Sequence, residues 1–337
     1  MSATPSVATL LASPGAVADP GIQAAIAEAV NAGRVVIPVV DDLADFVACV
    51  PPSLALVNGF AWAGPDAAQR LARLLLEELG IEDRQRRVFI SHKRDDGLGA
   101  AEQLYDRLSH SGFVPFIDRF AIRSGQQVQE TIADALEDYA FILLLETPLA
   151  HTSAWVFDEV DYAISHSMGT LIVRWPDDPE LVPGSKGLPR VHLSRDELIS
   201  DEHDYDILTD SALDALVGQI EGAHAHGLVR RRRMLVRSIE EAAAAVGCTS
   251  CSLLPGWRLL VEHAGESTLL GVTPRLPTAE DLQALDQARS LAETDRAAVL
   301  VHSARVLREH LRRHLAWVAG DRDLILRPEN AIGGHWI

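Results

Sequence analysis

Apolar residues recur along this chain in two alternating patterns: short β-branched runs and longer stretches at helical spacing. The short runs predict buried strands, and apolar residues at i, i+3, i+4 and i+7 predict amphipathic helices. Arg34–Val40 is apolar on both parities, which is typical of a parallel strand covered on both faces. The first region is therefore predicted to be α/β, with strands at 7–12, 34–40 and 53–62 and helices at 21–32 and 66–79.

The same alternation restarts at Arg86 and continues to Arg174. Alternating strands and helices over such a length are typical of a doubly wound parallel sheet. Two loops are predicted within it, at His92–Gly97 and Arg119–Gln129. The predicted strands are 88–91, 113–118, 141–145 and 170–174, and the predicted helices are 99–109, 130–139 and 153–163.

A third α/β unit is predicted beyond Gly227, and no family is identified for it. Thr278 followed by Asp281 matches an N-terminal capping pattern, so the helix that begins there is the clearest element. The predicted domains are thus 1–85, 86–226 and 227–337. In the last domain the predicted helices are 231–246, 278–292 and 306–319, and the predicted strands are 257–262, 268–272, 298–302 and 323–327.

Composition narrows the class of protein. A chain of 337 residues that is 47% hydrophobic has enough apolar residues for several folded cores. The net charge of -18 argues against nucleic-acid and anionic-membrane partners, because those surfaces repel an acidic protein. The basic run Arg230–Arg233 favours a solvated helix start or a linker over a phosphate site. No apolar run is long enough to cross a bilayer, and the start lacks a basic leader segment, so a cytoplasmic location is expected.

Metal chemistry has little support in the sequence. Three cysteines cannot form a disulfide framework, and Cys248 and Cys251 form a lone C-x-x-C without a second pair of ligands. His310 and His314 are one helical turn apart, but arginines surround them, which favours a solvated face. No metal and no bound cofactor are expected.

Trp155 and Glu159 lie four residues apart on one predicted helix, so an aromatic ring and a carboxylate share a helix face. Both side chains can therefore contact the same ligand. The alternative is an amphipathic helix with Trp155 in the core and Glu159 in solvent. The neighbouring motifs decide in favour of the ligand.

Three motifs occur in order: Phe-Ile-Ser-His-Lys-Arg-Asp-Asp from Phe89, Phe-Ile-Asp-Arg-Phe from Phe116, and Ser-x-Trp-x-x-x-Glu from Ser153. Together they resemble a TIR (Toll/interleukin-1 receptor) domain over roughly residues 86–223. The resemblance implies a flavodoxin-like sheet, which binds ligands at the carboxyl ends of its strands. Glu146 departs from the family pattern, and the sequence leaves open whether its carboxylate is solvated or changes the charge of the cleft.

Enzymatic TIR domains cleave the nicotinamide–ribose bond of NAD+, so the resemblance implies NAD+ as the substrate. A carboxylate can stabilise the oxocarbenium character that develops at the ribose, and Glu159 is the expected catalytic residue. Trp155 is expected to pack on the ligand or to shape its pocket. The first loop and the second strand supply the other expected substrate contacts, which are Ser91, His92, Lys93, Arg94, Phe116, Asp118 and Phe120.

The family also implies assembly. Arg119, Arg123 and Gly125 belong to the loop through which TIR domains pack on one another, so a homo-oligomer and oligomer-dependent activity are expected. Ala-, Arg- and Leu-rich composition with few lysines suggests a bacterial source, where such chains commonly act in antiphage defence. The alternative function is a non-catalytic TIR scaffold. The third domain would sense an activating ligand or protein, or hold the oligomer, and the sequence does not choose.

The first region resembles the back half of a TIR domain. When Gly33 is aligned with Gly169, Gln23 falls at the position of Glu159 and Asp19 at that of Trp155. The region is therefore interpreted as a degenerate, structural half-repeat that lacks both site residues. The alternative is a chance likeness between two α/β segments.

Overall fold

A computed structural model describes residues 7–31, 34–64, 67–79, 86–117, 136, 138–200, 205–254, 256–292, 294, 296–303 and 307–336. The chain divides into two compact units. One comprises residues 1–83 and 252–260, and the other comprises residues 84–251 and 261–337.

The first unit is built on a parallel sheet in the order β1-β2-β3. Strand β2 is buried along most of its length, as its apolar sequence predicts. The predicted strand at 53–62 is wrong for most of its length: residues Pro52–Leu54 form a 3-10 turn, whose first position suits proline, and the strand is confined to Phe60–Ala61. The elements are β1 (Val7–Leu11), α1 (Pro14–Ala18), α2 (Pro20–Asn31), β2 (Val35–Val40), α3 (Phe46–Cys49), β3 (Phe60–Ala61) and α4 (Ala67–Glu78).

Asp19 and Gln23 have structural roles in this unit. One carboxylate oxygen of Asp19 accepts hydrogen bonds from the backbone amides of Gly21 and Ile22 at the start of α2. The side-chain amide of Gln23 donates to the carbonyl of Val17. The likeness of this region to half a TIR domain stays a prediction.

The second unit contains a five-stranded sheet in the order β5-β4-β6-β7-β8 with every pair parallel. Numbered from β4, this is the order 2-1-3-4-5, which is that of flavodoxin-like folds. Strand β6 is buried at all its positions. The elements are β4 (Arg86–Ser91), α5 (Arg94–His110), β5 (Phe113–Phe116), β6 (Phe141–Glu146), α6 (Ala154–Ser165), β7 (Gly169–Arg174), β8 (Arg190–His192), β9 (Leu198–Ser200) and β10 (Asp206–Leu208).

Helix α5 begins five residues earlier than predicted, so the predicted loop His92–Gly97 is mostly helical. Asp95 and Asp96 lie in its first turn, where carboxylates interact favourably with the helix dipole. Gly97 packs against the loop that follows β6, and a Cβ atom there would lie 3.3 Å from the Cβ of His92. The predicted loop 119–129 and most of the predicted helix 130–139 lie outside the described residues.

Helix α7 (Asp210–Ala245) is continuous for 36 residues. The prediction of a new helix at Arg231 is therefore wrong about its start. Gly227 suggested a break, but it lies inside the helix because its missing side chain lets α7 approach β7: a Cβ atom on Gly227 would lie 2.7 Å from the Cα of Gly169. The predicted boundary at 226/227 falls within this helix, and the three-domain division stays a prediction.

The sheet that follows α7 has the strand order β11-β12-β13-β14-β15, with β13, β14 and β15 parallel. Strand β11, which contains Cys251, was not predicted. Thr278 and Asp281 form the expected reciprocal cap, with Asp281 N donating to Thr278 Oγ1 at 3.2 Å and Thr278 N donating to Asp281 Oδ2 at 2.8 Å. The elements are β11 (Ser250–Leu254), β12 (Arg258–His263), β13 (Glu266–Val272), α8 (Ala279–Ala292), β14 (Ala298–His302), α9 (Glu309–Ala319) and β15 (Leu324–Pro328).

Within the part of the chain that the structure describes, no helix has both the length and the apolar character needed to cross a membrane.

Candidate functional site

The site is centred on a buried pair of side chains, Glu159 and Ser91. Ser153 caps the start of α6 by accepting a hydrogen bond from Val156 N at 3.4 Å, which places Glu159 in the second turn. Glu159 is 7% exposed and Ser91, the last residue of β4, is 1% exposed. Ser91 Oγ donates to Glu159 Oε2 at 2.5 Å. The hydrogen bond fixes the carboxylate against the end of β4.

The pair lies at the carboxyl edge of the sheet, beside the point where the strand order reverses. Strand β4 lies between β5 and β6. The chain passes from β4 to β5 on one side and then crosses to β6 on the other. Ligands of flavodoxin-like folds bind in the crevice at such a switch point. Glu159 therefore stands where the fold itself favours a ligand.

Trp155 lies one helical turn before Glu159, and 48% of its surface is exposed. The alternative interpretation, with Trp155 in the core and Glu159 in solvent, is the reverse of what the structure shows. An exposed indole above a buried carboxylate can cover a flat ring of a ligand while the carboxylate contacts a deeper part.

The predicted first loop is a tight link between β4 and α5. His92 and Lys93 are half-buried, Arg94 is exposed, and Lys93 Nζ pairs with Asp95 at 3.1 Å. A residue that was not predicted, Asp96, joins this link to the loop after β6. Its carboxylate accepts from Thr147 Oγ1 at 2.8 Å and from Leu149 N at 2.7 Å.

Phe116 lies in an aromatic cluster. Its ring stacks on Phe89 with 5.1 Å between centroids, and it contacts Tyr139 at 5.6 Å. This packing explains its position without a ligand. The remaining predicted substrate and interface residues lie outside the described part of the chain, and they are Asp118, Arg119, Phe120, Arg123 and Gly125.

Glu146, the residue that departs from the TIR family pattern, is completely buried at the end of β6. Its carboxylate accepts from Arg174 Nη1 at 2.5 Å, from Arg190 Nε at 3.2 Å and from Ser185 Oγ at 3.1 Å. Burial alone raises its pKa, but the hydrogen bonds from Arg190 and Arg174 outweigh burial, so the pKa of Glu146 is lowered. The carboxylate is therefore neither solvated nor a free charge of the cleft. Hydrogen bonds and ion pairs of this carboxylate join β6, β7 and β8 to Val182 and Ser185.

The metal candidates of the sequence are Cys248 with Cys251 and His310 with His314. Burial, then repulsion from Glu240 and Cys248, raises the pKa of the Cys251 thiol to about 11, and burial also raises the pKa of the Cys248 thiol. His310 and His314 are exposed. Among the described residues no group of three or more His, Cys, Asp or Glu side chains is arranged to hold a metal ion.

Comparisons with known proteins agree with the central fold. Residues 88–209 match the family model described as TIR domain. A probable 2′ cyclic ADP-D-ribose synthase, BdTIR of Brachypodium distachyon, is 26% identical over 112 residues, which are 32% of this chain and 50% of that protein. The chain thus spans about half the length of the curated relative that it matches.

A solved structure is also similar: the TIR domains of the activated Roq1 resistosome, which directly recognises the pathogen effector XopQ. It is 17% identical, with a TM-score of 0.27, over 28% of this chain and 60% of that one. The family match, the three motifs and the all-parallel 2-1-3-4-5 sheet coincide in one part of the chain. Residues 88–209 are a TIR domain.

Proposed function

We propose that the TIR domain cleaves the bond between nicotinamide and ribose in NAD+. The observation that carries the proposal is the buried Glu159 carboxylate, held by Ser91 at the switch point of the sheet. The distant relative BdTIR, a probable 2′ cyclic ADP-D-ribose synthase, supports the same class of reaction, because its name describes a cyclic ADP-ribose product.

The reaction needs few groups from the protein. The bond between C1′ of the ribose and the nicotinamide nitrogen breaks, and its electron pair neutralises the cationic nicotinamide. Positive charge develops at the ribose, where the Glu159 carboxylate stabilises it through space or through the ribose hydroxyls. Water then attacks C1′ to give ADP-ribose and a proton, or a nucleophilic group of the same molecule attacks to give a cyclic isomer.

Trp155 and the β4–α5 link contribute to binding in this proposal. The half-exposed indole of Trp155 covers the ligand, and Lys93 and Arg94 interact with its phosphates. Phe116, Asp118 and Phe120 remain proposed substrate contacts on the basis of the family resemblance. NAD+ is a substrate here, and no separate cofactor is proposed.

Nicotinamide release from NAD+ tests the proposal. Glu159→Gln is expected to lower the rate of nicotinamide release at least about a hundredfold, since it removes the negative charge that stabilises the transition state. The matched control is Asp158→Asn, a loss of one exposed carboxylate from the same helix, which is expected to keep the rate. Equal rates in wild type and Glu159→Gln, or no release in any assembled state, would favour the non-catalytic scaffold instead.

Activation by self-assembly and a role in antiphage defence complete the proposal, and both rest on the family resemblance. If assembly through the loop at Arg119, Arg123 and Gly125 completes the site, the rate per subunit rises with protein concentration. Constant turnover per subunit on dilution to monomer would contradict this part alone.

A further inference from the structure

A cavity of about 280 Å³ lies in the second unit, at the end of α6 opposite Ser153. One wall is the turn that ends α6, another is α7, and the third comes from the segments that follow β14 and β15. The volume lies just under the roughly 300–1,000 Å³ of typical ligand pockets, so the cavity suits a small ligand.

The lining is rich in hydrogen-bond donors. Four of the lining side chains are serines, whose hydroxyls both donate and accept, and they are Ser165, Ser167, Ser238 and Ser303. Beside them lies Arg231, whose side chain is 8% exposed. A buried guanidinium next to several hydroxyls is the donor set that recognises phosphate, because the planar fork of arginine matches phosphate oxygens in pairs.

Glu329 holds Arg231 through one contact. Arg231 Nη2 donates to Glu329 Oε1 at 3.0 Å, which uses one of the five N–H donors of the guanidinium. Among the described residues that line the cavity, Glu329 carries the single carboxylate, and its negative charge cancels the positive charge of Arg231. A ligand that engages Arg231 therefore competes with Glu329, or shares the guanidinium with it.

The third titratable group is His166, at the end of α6. Burial and the nearby charge of Arg231 lower its pKa, which favours the neutral ring, and its Nδ1 donates to the carbonyl of Tyr162 at 2.9 Å. The basic run Arg230–Arg233, which the sequence left as a solvated helix start or linker, is thus partly buried within α7. Arg230 donates to the carbonyl of Met168 at 2.9 Å, and Arg231 faces the cavity.

We propose that this cavity binds a small anion of the phosphate class, either free phosphate or a phosphate monoester, with Arg231 as the anchoring charge and the serine hydroxyls as donors. Such a ligand contacts the last turn of the helix that carries Glu159 and the segment that begins at Glu329. The binding proposal is independent of NAD+ cleavage, because it concerns a separate cavity and a separate measurement.

Isothermal titration of the full chain, at constant ionic strength set by chloride, tests the proposal with two ligands. Inorganic phosphate and ribose 5-phosphate distinguish a free ion from a monoester, and saturable binding of either one at a stoichiometry of one supports the cavity. Arg231→Gln is expected to weaken the affinity roughly tenfold or more, as loss of a charge-assisted contact should. The matched control Arg237→Gln removes an exposed arginine from the same helix and should keep the affinity.

A second variant keeps the test decisive if Arg231→Gln fails to fold. Ser238→Ala combined with Ser303→Ala removes two donors with little change in volume, and it should weaken binding about tenfold. Hydrogen exchange should show ligand-induced protection at residues 165–167 and 231–238. Absence of binding by both ligands, equal weakening in Arg237→Gln, or unchanged affinity in the double serine variant would each overturn the proposal.

Discussion

At the scale of single residues, the hydrogen bond between Ser91 and Glu159 connects the fold to the candidate chemistry. A side chain at the end of a strand positions a carboxylate on a helix 68 residues later in the chain. The sequence indicated both residues separately as site candidates. Their contact depends on how α6 lies over the carboxyl end of β4, which no local pattern encodes.

Ser91→Ala is expected to lower nicotinamide release by roughly one order of magnitude, because Glu159 loses the bond that orients it. In the proposed mechanism Ser91 acts by orienting Glu159, so the change should appear mainly in kcat rather than in KM. The matched control is Ser109→Ala, which removes an exposed hydroxyl bonded to the carbonyl of Tyr105. An unchanged kcat in Ser91→Ala would contradict the positioning role.

Glu146 is the second residue whose role depends on tertiary contacts. Glu146→Gln leaves Arg174 and Arg190 facing a neutral group, and breaking a buried ion pair typically costs about 3–5 kcal/mol of unfolding free energy. Urea unfolding at pH 7 measures this loss. The control Glu241→Gln removes an exposed partner of Arg237 and should leave stability unchanged within error.

The pH dependence of that loss follows from the lowered pKa of Glu146. A carboxyl whose folded pKa lies below its ordinary value of 4.5 stabilises the fold fully above 4.5, and the contribution disappears as pH falls through the folded pKa. The stability difference between wild type and Glu146→Gln should therefore be constant near neutral pH and shrink below pH 4.5. A difference that persists unchanged into strong acid would contradict this assignment.

At the scale of elements, the packing of α7 on β7 depends on two glycines. Their backbones approach so closely that a Cβ atom on Gly227 would lie 2.7 Å from Gly169 Cα. Because glycine has no side chain, Gly227 lets the helix contact the sheet, and the helix continues through it without a break. A sequence pattern that treats glycine as a helix breaker misses this role.

Gly227→Ala is expected to destabilise the protein by about 1–3 kcal/mol through overpacking. Gly222→Ala on the same helix is the matched control, since among the described residues nothing beyond its own stretch of helix lies within 4 Å of an added Cβ, and it should stabilise by about 0.5–1 kcal/mol. Thermal and urea unfolding of both variants measure the contrast. The same sign for both changes would show that the close approach is absent.

At the scale of the whole chain, α7 connects the amino-terminal edge of the TIR sheet to the carboxy-terminal elements of the same unit. Its first half contacts the sheet: Glu221 pairs with Arg86 at 2.7 Å, and His224 packs between the rings of Phe113 and Phe141. Its second half pairs with Glu329 through Arg231. The helix, about 54 Å long at 1.5 Å per residue, is a rigid element suited to connect the two parts.

Hydrogen exchange distinguishes a continuous helix from a linker at the predicted boundary. Backbone amides of residues 224–232 should exchange slowly, at rates like those of β6, because they are hydrogen-bonded within a packed helix. Exposed helix positions elsewhere provide the reference. Fast exchange confined to residues 226–230 would show that two separate domains meet there.

Local patterns were sufficient to predict the alternating α/β order, most strand positions and the capped helix after Thr278, because periodicity and caps are encoded within about a dozen residues. The motifs around Ser91 and Glu159 also indicated the TIR domain. Only the tertiary structure decided the partners of Glu146, the continuity of α7 through Gly227 and the burial of Arg231. Each of these depends on side chains or backbones that are far apart in the chain, and their burial and charge are set only when the fold brings them together.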